Sequence, residues 1–347
     1  MDELRVIISA PLEPELVERI SAADPRIKVN YRPDLLLPLR HSGDYIGDTS
    51  FQMTDEQESE FQQYIRDGQV MLGVPRGRSS AFRSAIEDNP DLIWVHTYAA
   101  GGGAQVKAAK LSDQDLERVI FTTSAGAHAE SLTEFALLGA LAGLKDLPRL
   151  QRQQRAREWA ARWPSNQLSD ATVVIVGMGH IGREMAERFL AFGSTVVGVN
   201  RSLREVPGVE MHTIDELEEQ AARADVLVNC LPGAVGTENL INAEVLAALP
   251  AGATFVSVGR GRCVDEEALI AGLQAGQIGF AAMDVFAVEP LPQDSPLWDL
   301  PNVLISPHTM ALTKNESARI VEIFLQNALA LLEGEPMKNV VDKVLFY

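Results

Sequence analysis

The sequence predicts an α/β protein of two domains, each built around a parallel sheet, and three observations carry that reading. At 347 residues the chain is long enough for two cores of ordinary size. Strand and helix signals alternate through both halves, the pattern of parallel β-α-β units rather than of hairpins. The third observation is one stretch: Ala171-Thr-Val-Val-Ile-Val176 runs into Gly177, Gly179 and Gly182, and an amphipathic segment, Arg183 to Phe192, follows without a break. That is strand, tight turn and helix. Gly177 turns the chain sharply, Gly179 lets a pyrophosphate approach bare backbone, and Gly182 lets the helix pack on the strand. His180 and Ile181 open that helix, whose orphan N–H groups and positive dipole end hold phosphates. The flanking strand and helix give the Gly-x-Gly-x-x-Gly the context it requires, so this half reads as a doubly wound Rossmann sheet that binds a dinucleotide.

Composition narrows the classes. With 46% hydrophobic and 22% charged residues the chain is of the globular type. A formal charge of −18 gives an acidic surface that repels a phosphate backbone, so no nucleic-acid partner is expected. The two cysteines, Cys230 and Cys263, have neither metal-ligand nor redox spacing, which excludes a disulfide framework and points to a reducing compartment. No metal cluster is apparent. Acids stand early in the N-terminal segment and no apolar run reaches spanning length, so a cytoplasmic protein with no membrane partner is expected.

Taken in order, Arg5 to Ser9 reads as a buried strand, Pro14 to Ala23 as a helix and Lys28 to Tyr31 as a second strand. Arg32 to Phe51 is irregular, and Thr54-Asp-Glu-Gln57 forms a capping box that opens a helix to about Arg66. Gln69 to Val74 and Leu92 to His96 are strands, with a helix from Ala81 to Glu87 between them. Glu130 to Leu150 is apolar on nearly every face, so it must be buried, between domains or between subunits. A basic, Gln-rich stretch from Arg149 to Arg162 continues as helix. Six strands then follow: Thr172 to Val176, Thr195 to Val199, Val226 to Cys230, Thr254 to Val258, Phe280 to Val285 and Val303 to Ser306. Capping boxes at Thr213-Ile-Asp-Glu216 and Thr313-Lys-Asn-Glu316 open helices, the latter running from about Asn315 to Leu332, and Asp265 to Ala275 is helical. Ligands bind such sheets at the carboxyl ends of the strands, which is where chemistry is to be sought.

Those ends carry specific residues. Gly259-Arg260-Gly261-Arg262-Cys263-Val264-Asp265-Glu266 follows one strand, Asp284-Val-Phe-Ala-Val-Glu289-Pro290 the next, and Ser306-Pro-His308-Thr309 the last. In this order they resemble the D-isomer-specific 2-hydroxyacid dehydrogenase family, and their spacing is similar to its glyoxylate and hydroxypyruvate reductase branch. The resemblance implies a flavodoxin-like substrate domain over residues 1–127, rejoined by 312–347, and an NAD(P)-binding Rossmann domain over 128–311. It implies that His308 is the acid/base, that Glu289 holds its other ring nitrogen, and that Arg260 forks onto the substrate carboxylate and carbonyl. Each role suits the chemistry: an imidazole titrates near neutral pH, and a guanidinium matches a carboxylate with two parallel hydrogen bonds.

The resemblance also assigns a cofactor shell of Gly177, Gly179, His180, Ile181, Gly182, Leu231, Pro232, Thr237, Val258, Gly259 and Asp284. Tyr98, Ala100, Gly101 and Gly102 occupy the place of the substrate-carboxylate loop, together with Arg260 and His308, although Gly102 and Gly103 depart from the family's usual apolar residue and acid. Arg262 and Cys263 support their loop rather than react. After the strand ending at Val199, an NAD enzyme normally presents an acid to the ribose hydroxyls, and here stand Asn200, Arg201 and Ser202, with Arg204 behind. A missing carboxylate and a nearby guanidinium favour a 2′-phosphate, so NADP is the expected cofactor ahead of NAD. The expected activity is hydride transfer between NAD(P)H and a small 2-oxo acid of the glyoxylate or hydroxypyruvate kind, giving the D-2-hydroxy acid. The alternatives are a dehydrogenase of a bulkier 2-oxo acid and a nucleotide-sensing corepressor, against which the lack of long polar tails speaks. The apolar Glu130 to Leu150 segment predicts a homodimer.

Overall fold

The structure, a computed structural model, describes residues 2–41, 43–233, 236–344 and 346. Its chain forms two compact units, Met1–His128 with Leu312–Tyr347, and Ala129–Ala311. The first unit contains β1 (Leu4–Ile8), α1 (Pro14–Ala23), β2 (Ile27–Asn30), α2 (Asp55–Tyr64), β3 (Val70–Leu72), α3 (Ser79–Glu87), β4 (Trp94–Thr97), α4 (Gly102–Ala109), α5 (Asp113–Arg118) and β5 (Ile120–Thr123). The second contains α6 (Ala129–Leu144), α7 (Leu147–Ala156), β6 (Thr172–Val176), α8 (His180–Ala191), β7 (Thr195–Asn200) and β8 (Glu210–Thr213). It continues through α9 (Leu217–Ala221), β9 (Val226–Asn229), α10 (Ala243–Ala248), β10 (Ala253–Ser257), α11 (Glu266–Gln274), β11 (Ile278–Met283) and β12 (Val303–Ile305). The long helix α12 (Glu316–Glu333) returns to the first unit.

The first sheet has the order β2-β1-β3-β4-β5 and is parallel throughout, the flavodoxin-like arrangement. Its central strands β1 and β3 are almost wholly apolar, as cover on both faces requires. One layer of core joins Leu4, Val6, Ile8 and Trp94 to Ile320, Val321 and Phe324 of α12. There Trp94 stacks on Phe324 with ring centroids 5.0 Å apart. The second sheet has the order β12-β11-β10-β9-β6-β7-β8, again all parallel, a Rossmann sheet with an added seventh strand.

Several elements differ from the sequence reading. β5 and β8 are both edge strands of four residues, too short and too polar, as Ile-Phe-Thr-Thr and Glu-Met-His-Thr, to show a period. Pairing with β4 and β7 makes them strands. The C-terminal tail covers β5: Val341 N–H donates to the Phe121 carbonyl at 2.9 Å and Thr123 N–H to that of Asn339 at 3.0 Å. The short helices α4, α5 and α10 carry too few turns to declare a stripe. The basic stretch stops being helical at Ala156, because Arg157 adopts φ 54° and closes the helix with left-handed geometry.

The apolar segment from Glu130 breaks at Asp146, whose left-handed backbone and side-chain cap on Arg149 N–H start α7. Its burial is mostly internal to the second unit. Leu132, Phe135, Ala136 and Ala140 lie in one core layer with Val256, Phe280 and Ala282. Gly139 and Gly143 permit the approach: a Cβ at Gly143 would stand 2.0 Å from Thr254 Oγ1. Leu138, 53% exposed, and Leu150, 43% exposed, stand outside this core. Among the described residues no helix is long and apolar enough to cross a membrane, and no cluster of three metal-ligating side chains occurs.

The capping boxes at Thr54 and Thr213 form. The one expected at Thr313 does not. The cap of α12 is Asn315, with no side-chain cap bond, and Glu316 turns inward until it is only 1% exposed. There its Oε1 lies 3.4 Å from His128 Nδ1, while Oε2, packed beneath Gly43, has no hydrogen-bond partner among the described residues. Burial pushes the Glu316 carboxyl up from its ordinary 4.5 to about 7, against the pull of the Thr313 backbone, His41 and Arg319 and with the added push of Glu13. A carboxyl raised in the folded state keeps its proton while the unfolded chain has already lost its own, so the fold loses stability as pH climbs through this window. Wild type should therefore lose stability relative to Glu316→Gln between about pH 5 and about pH 8. Urea midpoints of both proteins at the two pH values test this, and an equal difference at both would refute it.

Candidate active site

The switch point of the second sheet lies between β6 and β9, where successive connections leave in opposite directions. Gly177 follows β6 with φ 101°, its N–H donating to the Val199 carbonyl at 2.8 Å. A Cβ there would lie 2.9 Å from the Cys230 carbonyl oxygen, so glycine is required on both counts. At Gly182 a Cβ would lie 2.1 Å from the Gly177 oxygen, which fixes how closely α8 packs on the turn. By contrast nothing stands within 4 Å of a Cβ at Gly179. Gly179 is also the cap of α8 and supplies no side-chain bond to its first turn, where His180 stands exposed and Ile181 half-buried. Bare backbone, an open side and uncapped N–H groups are what a pyrophosphate needs, so these residues fit a dinucleotide.

Arg260, Glu289 and His308 follow β10, β11 and β12, three adjacent strands, and so gather at one edge of the carboxyl end. His308 Nδ1 lies 2.7 Å from Glu289 Oε2. A carboxylate can only accept, so Nδ1 carries the proton and Nε2 is the ring atom left to exchange one. The other Glu289 oxygen, Oε1, accepts from Phe286 N–H at 2.9 Å, which locates the carboxylate before it meets the ring. Both side chains are partly open to solvent. Arg260 is exposed, with Nη1 donating to the Gly259 carbonyl at 2.8 Å. The next residue, Gly261, is pressed on the Phe286 backbone, where a Cβ would lie 1.9 Å from the carbonyl. Asp284 is buried under the turn that carries His308, with Thr309 N–H donating to it at 2.9 Å.

The remaining expected residues of this unit divide by exposure. Asn200 closes β7, its Nδ2 donating to the Ser202 carbonyl at 3.2 Å, and Arg201, Ser202 and Arg204 are exposed beyond it. Leu231 and Val258 are buried, and Gly259 lies so near Leu231 that a Cβ would be 2.6 Å from its oxygen. Thr237 Oγ1 donates to the Pro232 carbonyl at 2.7 Å and closes that loop, of which Ala234 and Val235 lie outside the described residues. Burial raises both thiols, that of Cys230 to about 12, so neither offers a thiolate at neutral pH.

One residue of consequence escaped the sequence reading. Asn229, fully buried at the end of β9, accepts from Leu231 N–H at 3.0 Å and donates to Ser257 Oγ at 3.1 Å and to the Arg260 carbonyl at 3.4 Å. It ties the Leu231 loop to the Arg260 loop. Its signal was a lone amide closing an otherwise apolar strand.

In the first unit, Tyr98 follows β4 with its ring 5.9 Å from that of Tyr45, and its hydroxyl is buried in the core. Ala100 and Gly101 lead into α4, and Gly102 is there for want of space: a Cβ would stand 1.8 Å from Thr97 Oγ1. That explains one of the two departures from the usual loop.

Comparison with known proteins agrees with this geometry. Residues 137–310 match the family described as D-isomer specific 2-hydroxyacid dehydrogenase, NAD binding domain. Glyoxylate/hydroxypyruvate reductase A of Serratia proteamaculans is 34% identical over 222 residues, 63% of this chain and 69% of the relative. The structure of a D-isomer specific 2-hydroxyacid dehydrogenase from Xanthobacter autotrophicus Py2, in complex with NADPH and MES, is 29% identical, with a TM-score of 0.77 over 100% of both chains. That of the NADPH-dependent glyoxylate/hydroxypyruvate reductase from Sinorhizobium meliloti, in complex with NADP and sulfate, is 27% identical, with a TM-score of 0.77 over 99% of this chain and 100% of that one. The glycine turn and the strand-end residues thus stand within a match that spans the second unit almost whole, and the chain belongs to the D-isomer specific 2-hydroxyacid dehydrogenase family.

Proposed function

We propose that this protein reduces a small 2-oxo acid, glyoxylate or hydroxypyruvate, to the D-2-hydroxy acid with NADPH as the preferred donor. The observation that carries the reading is the 2.7 Å pair of His308 and Glu289 at the carboxyl edge of a sheet with a dinucleotide turn. The relatives' names support the substrate class, and the two NADP(H)-bound neighbours support the cofactor.

A bound reduced nicotinamide dinucleotide supplies the hydride. This chain supplies the proton and the orientation. His308 donates from Nε2 to the carbonyl oxygen, and Glu289, holding Nδ1–H, fixes the ring and its tautomer. The partial exposure of His308 lets solvent restore its proton. Arg260 exchanges its bond to the Gly259 carbonyl for the substrate carboxylate, which its planar fork fits with two hydrogen bonds. The exposed Arg201 and Ser202 receive the 2′-phosphate where an NAD enzyme has its acid. The working protein is a homodimer formed around the outer side of α6, where Leu138 is exposed, with Leu150 and the fully exposed Trp159 contributing apolar surface.

His308→Ala should lower kcat by about 10²- to 10⁴-fold while NADPH, followed by its fluorescence, still binds. Glu289→Gln should lower kcat less, again with binding retained, and wild-type turnover in either variant would remove that residue from the mechanism. With glyoxylate, kcat/KM should be higher for NADPH than for NADH, and Arg201→Ala should narrow the gap chiefly through KM for NADPH. A higher value with NADH would overturn the assignment of that loop. Sedimentation at micromolar concentration should give a dimer, and a monomer there would dispose of the subunit interface.

A further inference from the structure

We propose that Asp284 is a positioning residue for His308, building the turn that aims the imidazole independently of any contact with the cofactor. The proposal rests on the reductase reading given above.

β11 and β12 pair in register through Met283 and Ile305, and Ser306 N–H continues the ladder to the Met283 carbonyl at 2.9 Å. Asp284 and Ser306 therefore stand one step past the ends of neighbouring strands. The Asp284 backbone is fixed on its other side, its N–H donating to the Ser257 carbonyl at 3.0 Å. Its side chain, in a residue only 1% exposed, then gathers three donors on a single oxygen. Oδ1 accepts from Ser306 Oγ at 2.6 Å, from Thr309 N–H at 2.9 Å and from Met310 N–H at 3.2 Å.

Those donors bracket His308 on both sides. His308 itself has φ 52°, a left-handed conformation uncommon outside glycine though histidine is among the residues more often found there, and the bonds on either side hold it. Hydrogen bonds to a buried carboxylate are about twice as strong as neutral ones, which suits that task. Ser131 of α6 grips the same turn from the opposite side, donating to the Met310 carbonyl. Glu289, five residues on in the same loop, holds the ring through Nδ1. One loop thus carries two acids with separate duties: Asp284 sets the backbone of the proton donor and Glu289 sets its ring.

An asparagine at 284 keeps an acceptor in the same place, whereas alanine removes it. Asp284→Ala should lower kcat measured at saturating NADPH about 10²-fold, the scale of a misplacement near 1 Å, whatever it does to the Kd for NADPH. Asp284→Asn should stay within about fivefold of wild-type kcat. An Asn variant as slow as the Ala variant at saturating NADPH, or an Ala variant with near-wild-type kcat there, would overturn the proposal. Should Asp284→Ala fail to fold, Ser306→Ala decides: a several-fold lower kcat at unchanged Kd is expected, and an unchanged kcat overturns. Should wild type reduce no 2-oxo acid, the functional reading fails and proton NMR judges the turn. The hydrogen-bonded Nδ1–H of His308, identified by its absence in His308→Ala, should persist in Asp284→Asn and vanish in Asp284→Ala or weaken in Ser306→Ala. Its survival unaltered in those last two would refute the role.

Discussion

The close approach of α8 to the turn after β6 is the constraint on which the second unit depends. A methyl group at Gly182 would sit 2.1 Å from the Gly177 carbonyl oxygen, so helix and strand meet at backbone distance and no side chain keeps them apart. With that contact set, β6 takes the centre of the sheet between β9 and β7. The register of the parallel ladder then carries outward through β10, β11 and β12. Each strand ends at a similar height, and the residue that follows it is delivered to the same edge. Arg260, Glu289 and His308 owe their proximity to this ladder rather than to one another.

Buried polar side chains convert that coarse alignment into fixed loops. An apolar strand end leaves its connection free to wander, and here Asn229 and Asp284 take up the first unpaired backbone groups beyond β9, β10 and β12. Each is almost wholly withdrawn from water and well supplied with partners, so the removal of either strands several polar groups at once. The exposed members, Arg260 and His308, keep solvent and substrate within reach because others hold their backbone.

What the sequence made legible follows the range of the forces involved. The glycine turn and the strand-end Arg, Glu and His are dictated by local sterics and by chemistry that tolerates few residue types, and their places in the fold could be read in order along the chain. β5 and β8 could not, since pairing with β4 and β7, and no period of their own, makes them strands. Glu316 sat in a capping pattern that the backbone did not use, because a buried pocket with His128 took the side chain instead. The apolar faces of α6 require burial, but that two glycines let the helix sink onto its own sheet is a depth that no periodicity records. Asn229 and the triple role of Asp284 Oδ1 were hidden for the same reason: their bonds join loops that only the finished sheet makes neighbours.

The discontinuity of the first unit has a consequence for the order of biosynthesis. Its core includes Ile320, Val321 and Phe324, and the edge of β5 is sealed by residues 339–341, so the N-terminal segment lacks part of its own interior until the last stretch leaves the ribosome. The second unit is continuous in sequence and has every strand it needs by Ile305. The half that emerges later is therefore the half that can complete first. Until then Trp94 waits without Phe324, and an open sheet edge waits without its tail, so the nascent N-terminal half presents apolar surface and unpaired strand groups that the finished unit hides.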